Sequence, residues 1–421
     1  MARLEKDSSW IGETDLWAKI AVSAIAVLTI VAATQAQAQT FTALHTFTAG
    51  GDGAHPGSLS MDRSGNLYGV ANAGGYRGGT CSALGCGTVF KLSRQGSNWV
   101  LNPLYAFHGG NDGRVPGANV VFGPDGSLYS TTSEGGAQGY GTVFKLQPPA
   151  RACESAFCPW TKTELYQFVG VPNGSDPVGT LVFDAAGNIY GVTQVGGHQD
   201  YGTVYELTHS AGGWMESVLF SGLASPMSGV IFDHAGNLYG TTLQGGGIGY
   251  GSVYQLAPSG SGWNMNVLTS FEDDGDGIEP SGGLILDVSG NLYGGTYNGG
   301  SYNGGVVYEL TPSGDNWLLN NLYSFGPGLF GPIGSLTTDA SGNLYGATND
   351  EGAYGYGNVF KLTSSNGGWS YTDLYDFTGG SDGAYPTGSL ILDGNGNVFG
   401  TTWSGGSQQC ECGVVWQITP P

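Results

Sequence analysis

Closely spaced carboxylates in one short stretch could hold a cation. The stretch DDGDGIE, residues 273–279, supplies Asp273, Asp274, Asp276 and Glu279 beside glycines that allow a tight turn. Calcium prefers several oxygen ligands, so these four residues form a candidate calcium site. The stretch lacks the complete twelve-residue EF-hand pattern, and a plain Asp-Gly turn is the alternative interpretation.

Aromatic side chains at loop positions could stack on sugar rings, which offer C–H groups to an aromatic face. Some of these side chains interrupt a repeated loop pattern, and others recur in a Tyr-Gly step. The recurring tyrosines have a second interpretation as scaffold, because aromatic rings supply much of the buried area of a fold. Isolated surface aromatics also occur without any ligand. The candidate ligand-binding residues are Tyr297, Trp403, Tyr385, His55, Tyr140, Tyr201, Tyr250 and Tyr356.

Two glycine-containing motifs imitate nucleotide-binding and catalytic signatures. The glycine-rich run 245–251 precedes the strand-like sequence SVY, whereas a phosphate loop needs a helix N-terminus behind it. The G-x-S-x-G match at 379–383 lacks the strand-to-helix elbow of a nucleophilic serine. The six histidines are scattered, and no two have the spacing of metal ligands. The sequence therefore gives little support to nucleotide binding or to enzymatic chemistry.

A unit containing GNLYG or a close variant recurs seven times, and it must position these side chains. The copies begin at residues 65, 126, 187, 236, 290, 342 and 396. Each unit has four short β-branched and aromatic runs separated by Gly, Asn, Asp and Pro, which is typical of strands joined by hairpins. The pattern predicts an all-β fold, a seven-bladed β-propeller with four-stranded antiparallel blades.

The ends of the repeat array predict how the ring closes. The last unit stops after its third run, GVVWQI, and the run FTALHTF at 41–47 matches the fourth run of the other units. The N-terminal strand should therefore complete the seventh blade, which removes open sheet edges. The strand order places the loops between blades and the loops between second and third strands on one face.

The first 38 residues have the features of a secretory signal peptide. The apolar run IAVSAIAVLTIVAA is followed by the motif AQA, which ends at Ala38 and matches an A-x-A cleavage site. The predicted domains are a signal peptide, 1–38, and a propeller, 39–421. We expect a secreted or periplasmic monomer without a membrane span after cleavage. The formal charge of −21 disfavours nucleic acid as a partner.

Six cysteines in three close pairs suit an oxidising compartment. Local disulfides that clamp loops are the simplest interpretation. Zinc is the alternative, although no histidine lies near any pair. The predicted disulfides are Cys81–Cys86, Cys153–Cys158 and Cys410–Cys412.

The repeated pattern D-x-x-GNLYG-x-T-x-x-GG followed by YGTVFKL resembles the GloVer tandem-repeat family of extracellular bacterial proteins. The resemblance covers essentially the whole chain after residue 38. It implies an exported, repeat-built protein and supplies no catalytic residues. Family members often carry a C-terminal surface anchor, for which GVVWQITPP shows no signal. A weaker similarity runs to NHL-type propellers, whose units also contain D-x-x-GN-[LI]-Y.

Three functional hypotheses remain open at this point. The first is a secreted, non-catalytic binding module for a polysaccharide or a cell-surface protein. The second is an NHL-like hydrolase or lyase that acts on a small molecule, which would need histidines or carboxylates at the ring axis. The sequence predicts Gly, Ser and Thr there, for example Gly57-Ser58 and Gly388-Ser389. The third is a structural component of the extracellular matrix.

Overall fold

The computed structural model describes residues 39–81, 83–149, 160–260, 262–272, 275–326, 330–365 and 368–420. In these ranges the chain forms seven antiparallel sheets, and its only helical segments are two single 3-10 turns, Gly110–Asp112 and His198–Asp200. The predicted signal peptide lies outside the described residues. No helix within them is long and apolar enough to cross a membrane.

Strand β1 (Thr40–Thr46) comes first in the chain, and blades 1 to 3 follow it. Blade 1 contains β2 (Ala54–Met61), β3 (Leu67–Ala73), β4 (Thr88–Gln95) and β5 (Asn98–Ala106). Blade 2 contains β6 (Val121–Phe122), β7 (Leu128–Thr132), β8 (Thr142–Gln147) and β9 (Thr161–Gln167). Blade 3 contains β10 (Ser175–Phe183), β11 (Ile189–Val195), β12 (Thr203–Ser210) and β13 (Gly213–Ser221).

Blades 4 to 7 repeat the same order along the chain. Blade 4 contains β14 (Ile231–Phe232), β15 (Leu238–Thr242), β16 (Ser252–Ser259) and β17 (Gly262–Ser270). Blade 5 contains β18 (Ile278–Pro280), β19 (Ile285–Leu286), β20 (Leu292–Asn298), β21 (Val306–Ser313) and β22 (Asn316–Ser324), with β18 and β19 both paired to β20. Blade 6 contains β23 (Pro332–Thr338), β24 (Leu344–Thr348), β25 (Asn358–Ser365) and β26 (Gly368–Asp376). Blade 7 contains β27 (Ala384–Leu392), β28 (Val398–Ser404) and β29 (Val414–Thr419).

The N-terminal strand closes the ring. The sheet of blade 7 has the order β1-β29-β28-β27, so β1 supplies its fourth strand. This confirms the predicted seven-bladed propeller and its split blade. Blade 7 thereby gains its fourth strand, and β1 becomes the outer edge of that sheet. Closure therefore completes the last blade, but it does not remove the open sheet edge that the sequence pattern predicted it would remove.

The GNLYG sequence forms a corner in which an aspartate binds the turn that follows it. In blade 4, Asp233 Oδ1 accepts the backbone N–H groups of Ala235 at 2.8 Å and Asn237 at 2.9 Å. Its Oδ2 accepts the Asn237 amide at 2.7 Å and the Tyr239 hydroxyl at 3.0 Å. Because one carboxylate satisfies four donors, the corner fixes the hairpin from first to second strand. Equivalent corners form at Asp62, Asp184, Asp287 and Asp339.

The last glycine of GNLYG makes room for an aromatic ring of the third strand. A Cβ atom at Gly240 would lie 2.4 Å from the Tyr254 hydroxyl, and Tyr254 is fully buried. The equivalent third-strand residues in the other blades are also large buried aromatics, among them Phe360 and Trp416. A side chain at the glycine would therefore displace this buried ring from its place in the core.

Each hydrophobic core lies between two neighbouring blades. One cluster joins Tyr239 and Val253 of blade 4 to Leu292 and Tyr308 of blade 5. A tryptophan recurs at or next to the start of the fourth strand in six of the blades. Five of these recurrent tryptophans add edge-to-face contacts across the interfaces, at ring centroid distances of 6.1–6.4 Å. These contacts give the five tryptophans a scaffold role, because each ring packs on an aromatic residue of the preceding blade. The pairs are Trp160–Tyr68, Trp99–Phe399, Trp263–Tyr190, Trp317–Tyr239 and Trp369–Tyr293.

Two of the three predicted disulfides lie within the described residues, and both are formed. They join Cys81 to Cys86 and Cys410 to Cys412, each in the loop before a third strand. Because the sulfur atoms are bonded to each other, these four cysteines are not zinc ligands. The predicted Cys153–Cys158 pair lies outside the described residues.

Candidate functional site

Two sets of loops interleave on one side of the ring, which we call the loop face. One set joins the second strand of each blade to the third, and the other joins consecutive blades. Backbone N–H groups of Asp176, Glu279 and Tyr385 donate to the carbonyl groups of Tyr140, Tyr250 and Tyr356 at 2.9–3.1 Å. The loop face is thus a continuous hydrogen-bonded surface rather than a set of independent loops.

Exposed aromatic rings are concentrated on the loop face. Ten aromatic side chains are exposed among the described residues, and nine of them lie in or beside its loops. The tenth, Phe122, is at the end of β6 on the opposite side of the ring. The nine are Tyr76, Tyr140, Tyr201, Tyr250, Tyr302, Phe330, Tyr354, Tyr356 and Trp403.

The Trp403 and His55 rings form a stacked pair across the interface of blades 7 and 1. Their centroids are 4.8 Å apart and their planes differ by 20°. His55 Nδ1 lies 2.9 Å from the Trp403 carbonyl oxygen. A carbonyl oxygen only accepts, so Nδ1 carries the hydrogen and Nε2 is left as an acceptor when the ring is neutral. The pair therefore combines an aromatic face, 39 % exposed at Trp403, with a polar atom beside it.

Two further aromatic pairs continue this arrangement at the adjacent interfaces. Tyr297 of blade 5 stacks on Phe330 with a centroid distance of 4.5 Å and an interplanar angle of 8°. Tyr356 of blade 6 meets Tyr385 of blade 7 edge to face at 5.9 Å. Aromatic pairs thus cover three consecutive interfaces, from blade 5 to blade 1. Tyr297 itself is half-buried, and Phe330 presents the more exposed ring of its pair.

The opposite part of the loop face, over blades 2 to 5, carries carboxylates beside single tyrosines. A cavity of about 660 Å³ between blades 2 and 3 is lined by Tyr140, Glu134, Asp176, Asp200 and the amide of Gln194. Burial raises the pKa of Asp176, and the negative charges of Glu134 and Asp200 raise it further. Within the described ranges, the Asp176 carboxylate has neither a hydrogen bond nor an ion pair. It therefore offers an acceptor to a group that enters the cavity.

The repeated tyrosines of the Tyr-Gly step combine scaffold contacts with exposure. Tyr140 packs on Gly170, where a Cβ atom would lie 3.0 Å from its ring, and Tyr356 packs on Gly379 in the same way. Tyr140, Tyr201 and Tyr250 remain 43 %, 46 % and 37 % exposed. Their backbones hold the neighbouring loop while part of each ring faces solvent.

Repeated aspartates in the loops between blades have structural partners. Asp382 accepts the Thr378 N–H and hydroxyl groups at 2.8 and 2.6 Å, and Asp52 repeats this arrangement with Thr48. Asp382 is 8 % exposed and belongs to the G-x-S-x-G match, so that match is a closed turn between blades. These aspartates do not supply the exposed negative charge of the loop face.

The structure does not assemble the proposed calcium site from the residues that it describes. Asp273 and Asp274 lie outside the described residues, while Asp276 and Glu279 lie within them. Glu279 Oε2 accepts the Asn298 amide at 2.7 Å. No group of three or more His, Cys, Asp or Glu side chains with metal-binding geometry occurs in the described ranges. Calcium binding at 273–279 stays a prediction.

The ring axis holds a small cavity of about 160 Å³ lined by the first strands. Adjacent first strands approach backbone to backbone: a Cβ atom at Gly282 would lie 2.0 Å from the Gly334 carbonyl oxygen. Ser58 Oγ accepts the Ser389 N–H at 2.9 Å across the blade 7–1 junction. The lining is Gly, Ser, Ala, Thr, Asn and Met227, without a titratable side chain. Proton transfer at the axis would need groups that this lining does not contain.

By its geometry the protein is a seven-bladed β-propeller with a closely packed axis and exposed aromatic rings on its loop face. The sequence model described as the Gloeobacter/Verrucomicrobia repeat matches residues 29–158, 81–224 and 214–416, which together span nearly the whole chain. The chain belongs to this repeat family. The predicted GloVer resemblance is therefore confirmed. A comparison with curated proteins gives no match.

Solved structures with similar folds share little sequence with the chain. A fungal alcohol oxidase of the AA5 family, in complex with copper, is 12 % identical, covers 91 % of this chain and 76 % of its own, and has a TM-score of 0.54. A provisionally assigned 6-phosphogluconolactonase of Bacteroides uniformis is 15 % identical. The match covers 75 % of this chain and 83 % of that chain, with a TM-score of 0.48. A provisionally assigned glucose dehydrogenase of Thermus thermophilus is 16 % identical. The match covers 72 % of this chain and 96 % of that chain, with a TM-score of 0.45. At these identities the likeness concerns the fold alone.

The eight predicted ligand-binding residues all lie on the loop face, but they do not form one cluster. Trp403 pairs with His55, Tyr356 pairs with Tyr385, and the other four are distributed over blades 2 to 5. Sequence reasoning missed Phe330 and the Asp176 cavity. Phe330 lies in the loop between blades 5 and 6, which lacks the Asp-Gly pair found at Asp52 and Asp382 in other loops between blades, and this break in the pattern could have indicated it.

Proposed function

We propose that this protein is an exported, non-catalytic binding module whose loop face binds a polysaccharide. The observation that supports this most directly is the concentration of nine of the ten exposed aromatic rings on that face. An exposed aromatic ring costs solvation free energy unless a partner covers it, and an even distribution would be expected of incidental exposure. Sugars suit such a surface because their C–H faces stack on rings while their hydroxyl groups bond to adjacent polar atoms.

The arrangement fits an extended chain ligand better than a small molecule. Aromatic pairs cover three consecutive blade interfaces, and the tyrosines Tyr140, Tyr201 and Tyr250 continue around the ring. Each position alone is shallow, so affinity would arise from several sugar units bound at once. An extracytoplasmic location is part of this proposal, and the two disulfides support it because such bonds persist in oxidising compartments.

The first experiment measures binding of the chain from residue 39 to a panel of soluble polysaccharides, by affinity electrophoresis and calorimetry. We expect saturable binding to one glycan class, reduced at least tenfold by Trp403→Ala. Phe122→Ala is the matched control, because it removes an exposed ring from the opposite side. Equal loss in both variants, or no binding to any glycan, would overturn the proposal. Repeating the titration with calcium and with EDTA tests the 273–279 site separately.

A further inference from the structure

One backbone position has the same unusual conformation in six of the seven blades: the residue immediately before the proline at the start of the blade. Its φ lies between 52° and 62°, in the left-handed region. Blade 6 has a glycine, Gly331, at this position. The six residues are His55, Val115, Asp176, Ser225, Glu279 and Tyr385.

Backbone hydrogen bonds and the proline that follows hold this position against the preceding blade. Each residue donates its N–H to a carbonyl group of the preceding blade, at 2.8 Å from His55 to Cys412 and 3.1 Å from Asp176 to Tyr140. The proline that follows packs on a glycine of the same preceding loop. In blade 5, a Cβ atom at Gly251 would lie 2.5 Å from Pro280 Cδ. These contacts do not involve the side chain before the proline, so they are compatible with any residue type other than proline at that position.

The conformation is unfavourable for the residues that occupy it. A left-handed φ is strained for side chains larger than glycine, and a following proline restricts the backbone further. Glycine would relieve the strain in every blade, yet six blades carry a side chain there. Those six side chains are all of different types. A purely structural role would favour one residue type, whereas recognition of different parts of a ligand would produce this variety.

These side chains are placed between blades, where a ligand on the loop face would meet them. His55 stacks on Trp403, and Tyr385 lies at the edge of Tyr356. Asp176 lines the 660 Å³ cavity beside Tyr140. Glu279 accepts the Asn298 amide and adjoins the loop of Tyr250. Aromatic and carboxylate groups thus occupy equivalent positions in different parts of one ring.

We propose that the side chains before these prolines are the specificity-determining residues of the loop face, and that they select a neutral polysaccharide over an anionic one. The proposal rests on the proposed glycan-binding function. His55 and Tyr385 extend the aromatic surface on which sugar rings stack. Asp176 and Glu279 accept hydrogen bonds from sugar hydroxyl groups, and they repel the carboxylates of uronic acid polymers.

The test replaces the side chain by glycine, which removes the contact and relieves the backbone. The variants are His55→Gly, Tyr385→Gly and Asp176→Gly. Asn303→Gly is the control, because Asn303 has a φ of 61° on the same face but does not precede a proline. Neutral glucans and mannans are compared with alginate and polygalacturonate as ligands. Melting temperature is measured for every variant.

We expect each of the three variants to bind the neutral glycan about tenfold more weakly than the unmodified protein. Their melting temperatures should be unchanged or raised by about 1–2 °C, since strain relief offsets the flexibility that glycine adds to the unfolded chain. Asp176→Gly should also reduce the discrimination against alginate. The control should keep full affinity.

Three outcomes would overturn this inference while leaving the proposed function intact. The first is unchanged glycan affinity in all three variants. The second is a melting temperature several degrees lower in all of them, which would assign the side chains to the scaffold. The third is preferential binding of the anionic polymers. Absence of any glycan binding by the unmodified protein would instead remove the proposed function itself.

Discussion

Replacing the glycine of the Tyr-Gly step tests whether the blade interfaces depend on close contact between glycine and proline. Gly251 has a φ of 101°, and a Cβ atom there would lie 2.5 Å from Pro280 Cδ and 2.6 Å from the Thr242 carbonyl oxygen. Gly249, two residues earlier, has a φ of 94° with no atom within 4 Å of its hypothetical Cβ. The two glycines therefore have similar positive φ angles and differ in the space around them.

The expected losses of stability follow from the positive φ angle and from the space around each glycine. The positive φ costs an alanine about 1–2 kcal/mol, partly offset by about 0.4–1 kcal/mol from the stiffer unfolded chain. The contact with Pro280 adds about 1–3 kcal/mol, because backbone and ring must move apart. We therefore expect Gly249→Ala to lower the free energy of unfolding by about 1 kcal/mol and Gly251→Ala by about 3 kcal/mol.

Urea unfolding with the disulfides intact, followed by circular dichroism and tryptophan fluorescence, measures the difference. The double variant Gly251→Ala/Pro280→Ala removes the Cδ atom and should recover part of the loss, which would appear as a coupling between the two substitutions. Equal effects of Gly249→Ala and Gly251→Ala would refute the reasoning. So would a double variant whose loss is the sum of the two single losses.

Three further predictions concern the scaffold. Asp233→Ala should destabilise the protein by about 2 kcal/mol, because four hydrogen bonds are lost. Asp393→Ala should cost about 1 kcal/mol less, since Phe399 offers no hydroxyl group to this aspartate. Equal losses in urea unfolding would argue against a contribution from the hydrogen bond between Tyr239 and Asp233. Burial raises the pKa of Asp62, Asp233, Asp287 and Asp339, but hydrogen bonds to each carboxylate outweigh it and hold the pKa below 3.8. The folded state thus favours the charged form of these four aspartates, so the stability that they contribute should be fully present above about pH 5 and be lost as the pH falls below 3.8. A melting temperature that is flat from about pH 5 to about pH 2.5 would contradict this. Tyr254→Phe should raise the free energy of unfolding by about 1 kcal/mol, because the fully buried hydroxyl has no hydrogen-bond partner among the described residues. The reverse change at the equivalent position, Phe360→Tyr, should lower the free energy of unfolding. Calorimetric melting of both variants shows whether the two changes have these opposite effects.

The fold could be predicted because every repeat carries nearly the same residues at its turns and strand contacts. Asp233 and Asn237 define a corner through bonds within five residues, and Gly240 leaves space for a ring on the next strand. Such short-range interactions can be read from spacing alone. Seven copies of the unit, with the fourth strand of the last copy supplied by the run at 41–47, are compatible with one arrangement, a closed ring of seven blades.

The site could be predicted only in part, because its contacts join residues far apart in sequence. His55 and Trp403 are 348 positions apart, and nothing in either local sequence indicates that their rings stack. Asp52 and Asp382 also stand in loops between blades, but their carboxylates turn inward to Thr48 and Thr378, which their positions in the sequence do not indicate. Charge at Asp176 depends on Glu134 and Asp200, which the ring brings together from two blades.

The pairing of β1 with β29 makes the described body a circle in which no blade is structurally first. Because the two terminal strands run side by side, a short linker could join them and new ends could be opened in any loop that joins consecutive blades. Such circular permutants would retain every blade, but the terminal blade would no longer be assembled from both ends of the chain. In the natural order, β1 is synthesised well before β29 and must wait for it before it can pair. Permutation would remove that delay, so refolding rates of permutants would measure how much of the folding time is spent on closing the ring.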